Sequence, residues 1–133
     1  MNHSANGAFT IQLGPQSLSS VAENTGLGRL SLDKQFTGDL VAASQGEMLA
    51  FRSSVQGSAG YVAMETVRGK LHGRSGSFVL QHSSTMTRGA PAQSITVVPD
   101  SGTEALVGLT GSMVITITDG RHTYAFDYTL PTN

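Results

Sequence analysis

An all-β domain of about eight antiparallel strands, arranged as a sandwich or a barrel, is the fold this chain predicts. Its apolar segments are short and alternate with polar residues, and glycines punctuate them at intervals of about ten residues. Sixteen serines and 14 threonines, against only 13% charged residues, leave solubility to hydroxyls, as suits exposed strand faces. At 133 residues the chain matches one domain, spanning 1–133, in which burial reaches roughly two-thirds of the unfolded surface.

The strands follow in order, each chosen for β-branched or aromatic bias between turn residues. Ala8 to Leu13 is the first and Leu27 to Phe36 the second, with a loop over Pro15 to Gly26. Leu40 to Arg52 is the third, where Gly46 marks a bulge. Tyr61 to Leu71, Ser77 to Ser83, Gln93 to Val98, Ser112 to Thr118 and His122 to Leu130 complete the set. Asp119-Gly120 sits between ITIT and RHTYAFDY, so it predicts a two-residue hairpin turn and makes the last two strands antiparallel neighbours. One short helical turn is expected at Ser101 to Val107, because Ser101 and Glu104 have capping-box spacing and Gly108 can end it.

Composition excludes several functions. Eight basic residues against nine acidic ones give a net charge of −1 with no basic run, so nucleic acid is not an expected partner. The absence of cysteine removes disulfides, thiolate metal sites and a cysteine nucleophile. MNHSANGAFTIQLG lacks the basic start and apolar core of a secretory signal, and no segment approaches membrane-spanning length, so the expected location is the cytoplasm and no membrane partner is expected. Without secretion, the acceptor pattern Asn2-His3-Ser4 is a chance match.

Two ionisable residues stand out because each lies on a strand among apolar neighbours. On Tyr61 to Leu71 the odd positions carry Tyr61, Ala63, Glu65, Val67 and Leu71, and the even ones carry Arg68 and Lys70, so the odd face should be the inner one. A carboxylate there must find a partner or raise its pKa. His82 shares a face with Phe78 and Leu80, and His122 with Tyr124, Phe126 and Tyr128. Glu65, His82 and His122 are therefore the candidate catalytic cluster, since a carboxylate beside an imidazole can move a proton near neutral pH. A satisfied structural network is the alternative. If Gln81 rather than His82 faces inward, that strand offers an amide to orient a ligand.

Other patterns carry less. Gly73-Arg74-Ser75-Gly76-Ser77 lacks the final glycine and the strand-to-helix context of a nucleophile elbow. Gly26-Leu27-Gly28 lacks the third glycine of a dinucleotide site. The histidines have no side-by-side spacing on one strand, so no metal and no cofactor is expected. His72 is read as solvated in its turn, and Asp127 as an outward surface charge.

The runs YVAMETVRGKL and GRSGSFVLQHSS, with FTGDL at Phe36 to Leu40, VVPDSGT at Val97 to Thr103 and the closing HTYAFDYTL, resemble the bacterial family known as domain of unknown function 3224 over nearly the whole chain. Glu104-Ala105 departs from that family's usual glycine followed by an acidic residue. The resemblance implies an eight-stranded antiparallel closed β-barrel similar to allene oxide cyclase. By that fold-level analogy, Glu65 with Tyr61 and Tyr124 would shape charge on a cationic intermediate. The expected function is binding of a small hydrophobic molecule inside the barrel, held by Tyr61, Phe78, Leu80, Gln81, Tyr124, Phe126 and Tyr128. The alternatives are an isomerase or cyclase acting on a small apolar metabolite, or a ligand-free homo-oligomeric interaction module. Exposed threonine-rich faces suit a homo-oligomer.

Overall fold

The computed structural model describes residues 2–131, and these form a closed barrel of eight antiparallel strands in sequential order. The strands are β1 (Asn2–Gln16), β2 (Gly28–Gly38), β3 (Leu40–Arg52), β4 (Ala59–Leu71), β5 (Arg74–Thr87), β6 (Ala90–Val97), β7 (Thr110–Thr118) and β8 (Arg121–Thr129). All eight expected strands are present. β1 runs well beyond Ala8 to Leu13 at both ends because it serves two neighbours in a staggered register. Its first half pairs with β8 through Asn2↔Thr129 to Phe9↔His122, and its second half pairs with β2 through Gly7↔Gly38 to Gln16↔Arg29. That stagger closes the barrel and leaves no free edge at β1.

The alternation of side chains fixes the interior. The inner row of β4 is Ala63, Glu65 and Val67, and that of β5 is Phe78, Leu80 and His82, all buried. Glu65 and His82 thus face inward as expected, and Gln81 points out. Gly46 does not introduce a bulge: β3 keeps continuous register through Leu32↔Gly46 on one side and Gly46↔Glu65 on the other. Glycine is needed there for a different reason. A Cβ would stand 2.0 Å from the Met64 carbonyl oxygen and 2.6 Å from Glu65 Cα, so a side chain has no room where the two strands approach.

Asp119-Gly120 forms the expected two-residue turn, with Thr118 paired to Arg121 and positive φ of 52° and 77°. His72-Gly73 and Arg88-Gly89 repeat the same positive-φ pair between β4 and β5 and between β5 and β6. The helical turn is shorter than expected, a 3-10 turn over Glu104–Leu106, and the Ser101–Glu104 capping box does not form. The hydroxyls are taken by β5 instead: Ser101 Oγ accepts from the Val79 amide at 3.0 Å, and Thr103 Oγ1 from the Ser77 amide at 3.0 Å. β6 ends at Val97 opposite Leu80, so the part of β5 before Leu80 needs other partners, and the segment after β6 provides them.

That segment also seals one end of the barrel. Leu106 and Leu109, each 1% exposed, join Leu40, Leu71, Phe78, Leu80, Met113 and Phe126 in a continuous apolar core. Phe78 stacks on Phe126 and Phe126 on Tyr128, with ring centroids 5.8 and 5.4 Å apart. The opposite end carries the connections 17–27, 53–58, 88–89 and 119–120, of which no residue is buried, so it has no such plug.

Candidate functional site

Midway along the barrel, three adjacent strands meet a fourth in a buried polar cluster. Glu65 of β4, 1% exposed, receives three donors. Lys34 Nζ of β2 lies 2.8 Å from Oε2, His82 Nε2 of β5 lies 2.5 Å from the same oxygen, and Ser44 Oγ of β3 donates to Oε1 at 2.8 Å. Lys34 is 3% exposed, and its ammonium also sits 4.8 Å from the centre of the Phe9 ring, a cation–π contact. Burial alone would raise the Glu65 pKa, but the His82 hydrogen bond and the Lys34 charge outweigh it and bring the carboxyl from 4.5 down to about 2.

The ionised state of Glu65 decides the histidine's arrangement. A carboxylate can only accept, so His82 Nε2 must carry the hydrogen between them. In the neutral imidazole the remaining nitrogen, Nδ1, is then a lone-pair acceptor, and it is buried without a hydrogen-bond partner among the described residues.

Above this cluster the barrel opens into a cup of about 620 Å³. Its wall is largely apolar: Leu27, Met48, Phe51, Tyr61, Met86 and Ile115 contribute most of the large side chains, with Ser84 and Gln93 among the polar ones. Tyr61 connects the two layers, since it lines the cup and its ring centroid lies 6.4 Å from that of His82. Ser84 does the same on β5, as the next inward residue after His82.

The expected site residues separate along the barrel axis. Glu65 and His82 meet, Tyr61 stands beside them, and His122 stands elsewhere, half-buried with its ring 5.2 Å from that of Phe9. Phe78, Leu80 and Phe126 are packed in the apolar core. The Tyr124 hydroxyl bridges the β2–β3 turn, donating to the Thr37 carbonyl at 2.7 Å and accepting from the Leu40 amide at 2.9 Å, and burial raises its phenol pKa. Tyr128 is capped by His72 Nδ1 at 2.5 Å, so His72 is tied to the sealed end rather than simply solvated. Gln81 lines a groove on the outer surface with Met64 and Val62. Asp127 is exposed and accepts from Ser4 Oγ at 2.7 Å, as its outward position predicts.

Two members of the cluster escaped sequence reasoning. Lys34 alternates inward between Leu32 and Phe36, a signal present in LSLDKQF, but a lysine on an apolar row reads as a snorkelling surface residue until its carboxylate is located. Ser44 looks like any of the other strand hydroxyls. Among the described residues, no group of three or more His, Cys, Asp or Glu stands close enough to hold a metal ion, and no helix is long and apolar enough to cross a membrane.

The model of the family described as "Protein of unknown function (DUF3224)" matches residues 5–128 of the chain. The protein belongs to the DUF3224 family. A crystal structure of a DUF3224 protein of unknown function from Shewanella oneidensis MR-1 superposes with a TM-score of 0.92, at 46% identity and with 100% of each chain covered. No curated protein matches the chain. The DUF3224 barrel is thus shared by two chains that differ at more than half of their positions, and the assignment of a role rests on the cup and the cluster below it.

Proposed function

We propose that this DUF3224 protein binds a small, mainly apolar molecule in the cup at the open end of its barrel. The observation that carries this reading is the coincidence of a concave apolar space of about 620 Å³ with a buried ionic cluster directly beneath it. Ligand sites are commonly spaces of roughly 300–1,000 Å³ with apolar walls and a few placed polar groups. The apolar wall supplies affinity by removing ligand surface from water, at roughly 25 cal/mol per Å² before binding costs are subtracted.

Binding is favoured over proton-transfer catalysis by Glu65. A carboxylate saturated by three donors and held at about 2 is a weak base, and Lys34 already neutralises its charge. An isomerase that used Glu65 to take a proton, or to face a cationic intermediate, would need that carboxylate free.

Native mass spectrometry of protein purified without denaturation, followed by titration with naphthalene, tests the proposal. A co-purified small molecule or saturable binding at one site per chain is expected, lost in Met48→Arg, which drives a charge into the cup wall. Absence of both, with the wild-type protein folded by near-ultraviolet circular dichroism, would end it.

A further inference from the structure

We infer that the molecule in the cup carries a hydrogen-bond-donating head group, a hydroxyl or N–H rather than a carboxylate, and that this group is read by His82 Nδ1. The inference rests on the cup being a binding site and deepens it by naming the ligand class. Its independent support is the one buried side-chain polar atom without a partner among the described residues.

Every other polar atom of the cluster is engaged. Glu65 Oε1 accepts from Ser44, and Glu65 Oε2 accepts from Lys34 and His82. The Nε2–H of His82 is committed to that carboxylate, and because Lys34 already balances Glu65, a neutral ring leaves the buried cluster without net charge and with its lone pair at Nδ1. An unmet acceptor in an apolar surrounding costs free energy that a donor can recover. At the imidazole the polar function left for a ligand is therefore acceptance, whereas the donors within reach are the remaining Lys34 hydrogens and Arg52 in the cup wall. With its one hydrogen on Nε2, a neutral imidazole offers a carboxylate none at Nδ1, and the lysine charge is already matched by Glu65 at 2.8 Å.

The surroundings of His82 agree with approach from the cup. Its neighbour across the β4–β5 ladder is Ala63, and the residues at the next rung towards the mouth are Tyr61 and Ser84, both in the cup wall. No large side chain of β4 or β5 stands on the inner face between the imidazole and the cup except the Tyr61 ring. Tyr61 is only half-buried. His82 lies one inward residue below the cup wall rather than in it, so a head group must displace the Tyr61 ring to reach Nδ1, while the apolar body remains among Met48, Phe51 and Ile115.

Three probes of one shape test this: naphthalene, 2-naphthol and 2-naphthoate, titrated into the full chain with the imidazole ¹⁵N resonances of His82 followed by NMR. 2-Naphthol should bind about tenfold more tightly than naphthalene, the worth of one buried hydrogen bond, and should shift Nδ1 in the direction of an accepted hydrogen bond. In His82→Phe the preference should fall to near unity with naphthalene affinity retained. Should that variant not fold, the Nδ1 shift in the wild type decides alone. Equal binding of naphthalene and 2-naphthol with Nδ1 unmoved would overturn the inference and leave the cup intact, with Nδ1 served by a trapped water. Strongest binding of 2-naphthoate would also overturn it, in favour of an anion site. Failure of all three probes to bind would remove the cup reading itself.

Discussion

The two ends of this barrel are made by the same eight strands and differ in what happens after the strands stop. At the sealed end, the segment between β6 and β7 folds back, drops Leu106 and Leu109 into the lumen and lends its hydroxyls to β5. At the open end no residue of the connections 17–27, 53–58, 88–89 and 119–120 is buried, and Leu27, Phe51, Met86 and Ile117 remain 38–63% exposed. One end is filled with buried apolar side chains and the other leaves apolar side chains half exposed around a cup. The contrast teaches that stability and recognition occupy different halves of the lumen, with the Lys34–Glu65–His82 cluster as the boundary between them.

The sharpest break of this comparison is a truncation at the sealed end. Phe126, 0% exposed and stacked between Phe78 and Tyr128, should cost about 3–5 kcal/mol when replaced by alanine. Urea unfolding at constant slope measures it. A loss below about 1 kcal/mol would mean that the sealed end is not where the fold keeps its stability.

The boundary should show itself in the pH dependence. The Glu65 pKa is depressed from 4.5 to about 2 in the folded protein, so the unfolded chain binds its proton first as pH falls. The stabilisation, of order 3 kcal/mol by linkage, is complete above about pH 5 and is lost as pH drops towards 2. Urea midpoints collected across that window should decline in the wild type and flatten in Glu65→Gln. The double change Lys34→Met with Glu65→Leu should be neutral or even stabilising, because desolvating two charges offsets most of their attraction, whereas Glu65→Leu alone strands a buried ammonium and should destabilise by roughly 3–5 kcal/mol. If the single and double variants lose stability equally, the pair is not acting as an isolated ion pair.

Much of this was legible in the chain. Period-two alternation located all eight strands, and the parity of β4 placed Glu65 inside because Arg68 and Lys70 claimed the other face. The same parity on β5 left His82 against Gln81 open, and the ladder pairing Ala63 with His82 decides it. Closure was not legible from periodicity, since it depends on β1 serving two partners, a relation between residues more than 100 positions apart. The glycine turn expected between Leu71 and Ser77 closes more tightly, at His72-Gly73, because β5 starts at Arg74, and Arg88-Gly89 is the turn that sequence does not signal, arginine being an uncommon residue at positive φ. The capping box failed for a physical reason: a serine hydroxyl with an unpaired strand amide within reach satisfies that amide first. Parity tells inside from outside but not depth along the barrel axis, so sequence reasoning had no means of telling core from cup. It accordingly nominated Phe78, Leu80 and Phe126 alongside Tyr61.

A smaller effect is expected where a side chain serves the backbone rather than the core. Tyr124→Phe keeps the ring against Phe36 and removes only the hydroxyl that joins Thr37 to Leu40. The cost should be about 1 kcal/mol, visible as faster hydrogen exchange at the Leu40 amide ahead of its neighbours in the core. Protection unchanged at Leu40 would show that the β2–β3 turn holds itself.

The smallest effect on stability, and the most telling for the comparison, belongs to the rim. Phe51 lines the cup yet is 47% exposed, so Phe51→Ser removes surface that water already reaches. Its unfolding free energy should stay within about 0.5 kcal/mol of the wild type, while affinity for naphthalene should fall several-fold because the ligand loses one wall. A residue whose loss leaves the fold untouched but weakens an apolar ligand is what separates a binding mouth from an unfinished core. The reverse result, a destabilised barrel with unaltered ligand affinity, would move Phe51 to the structural side of the boundary and shrink the cup to the space beneath Tyr61.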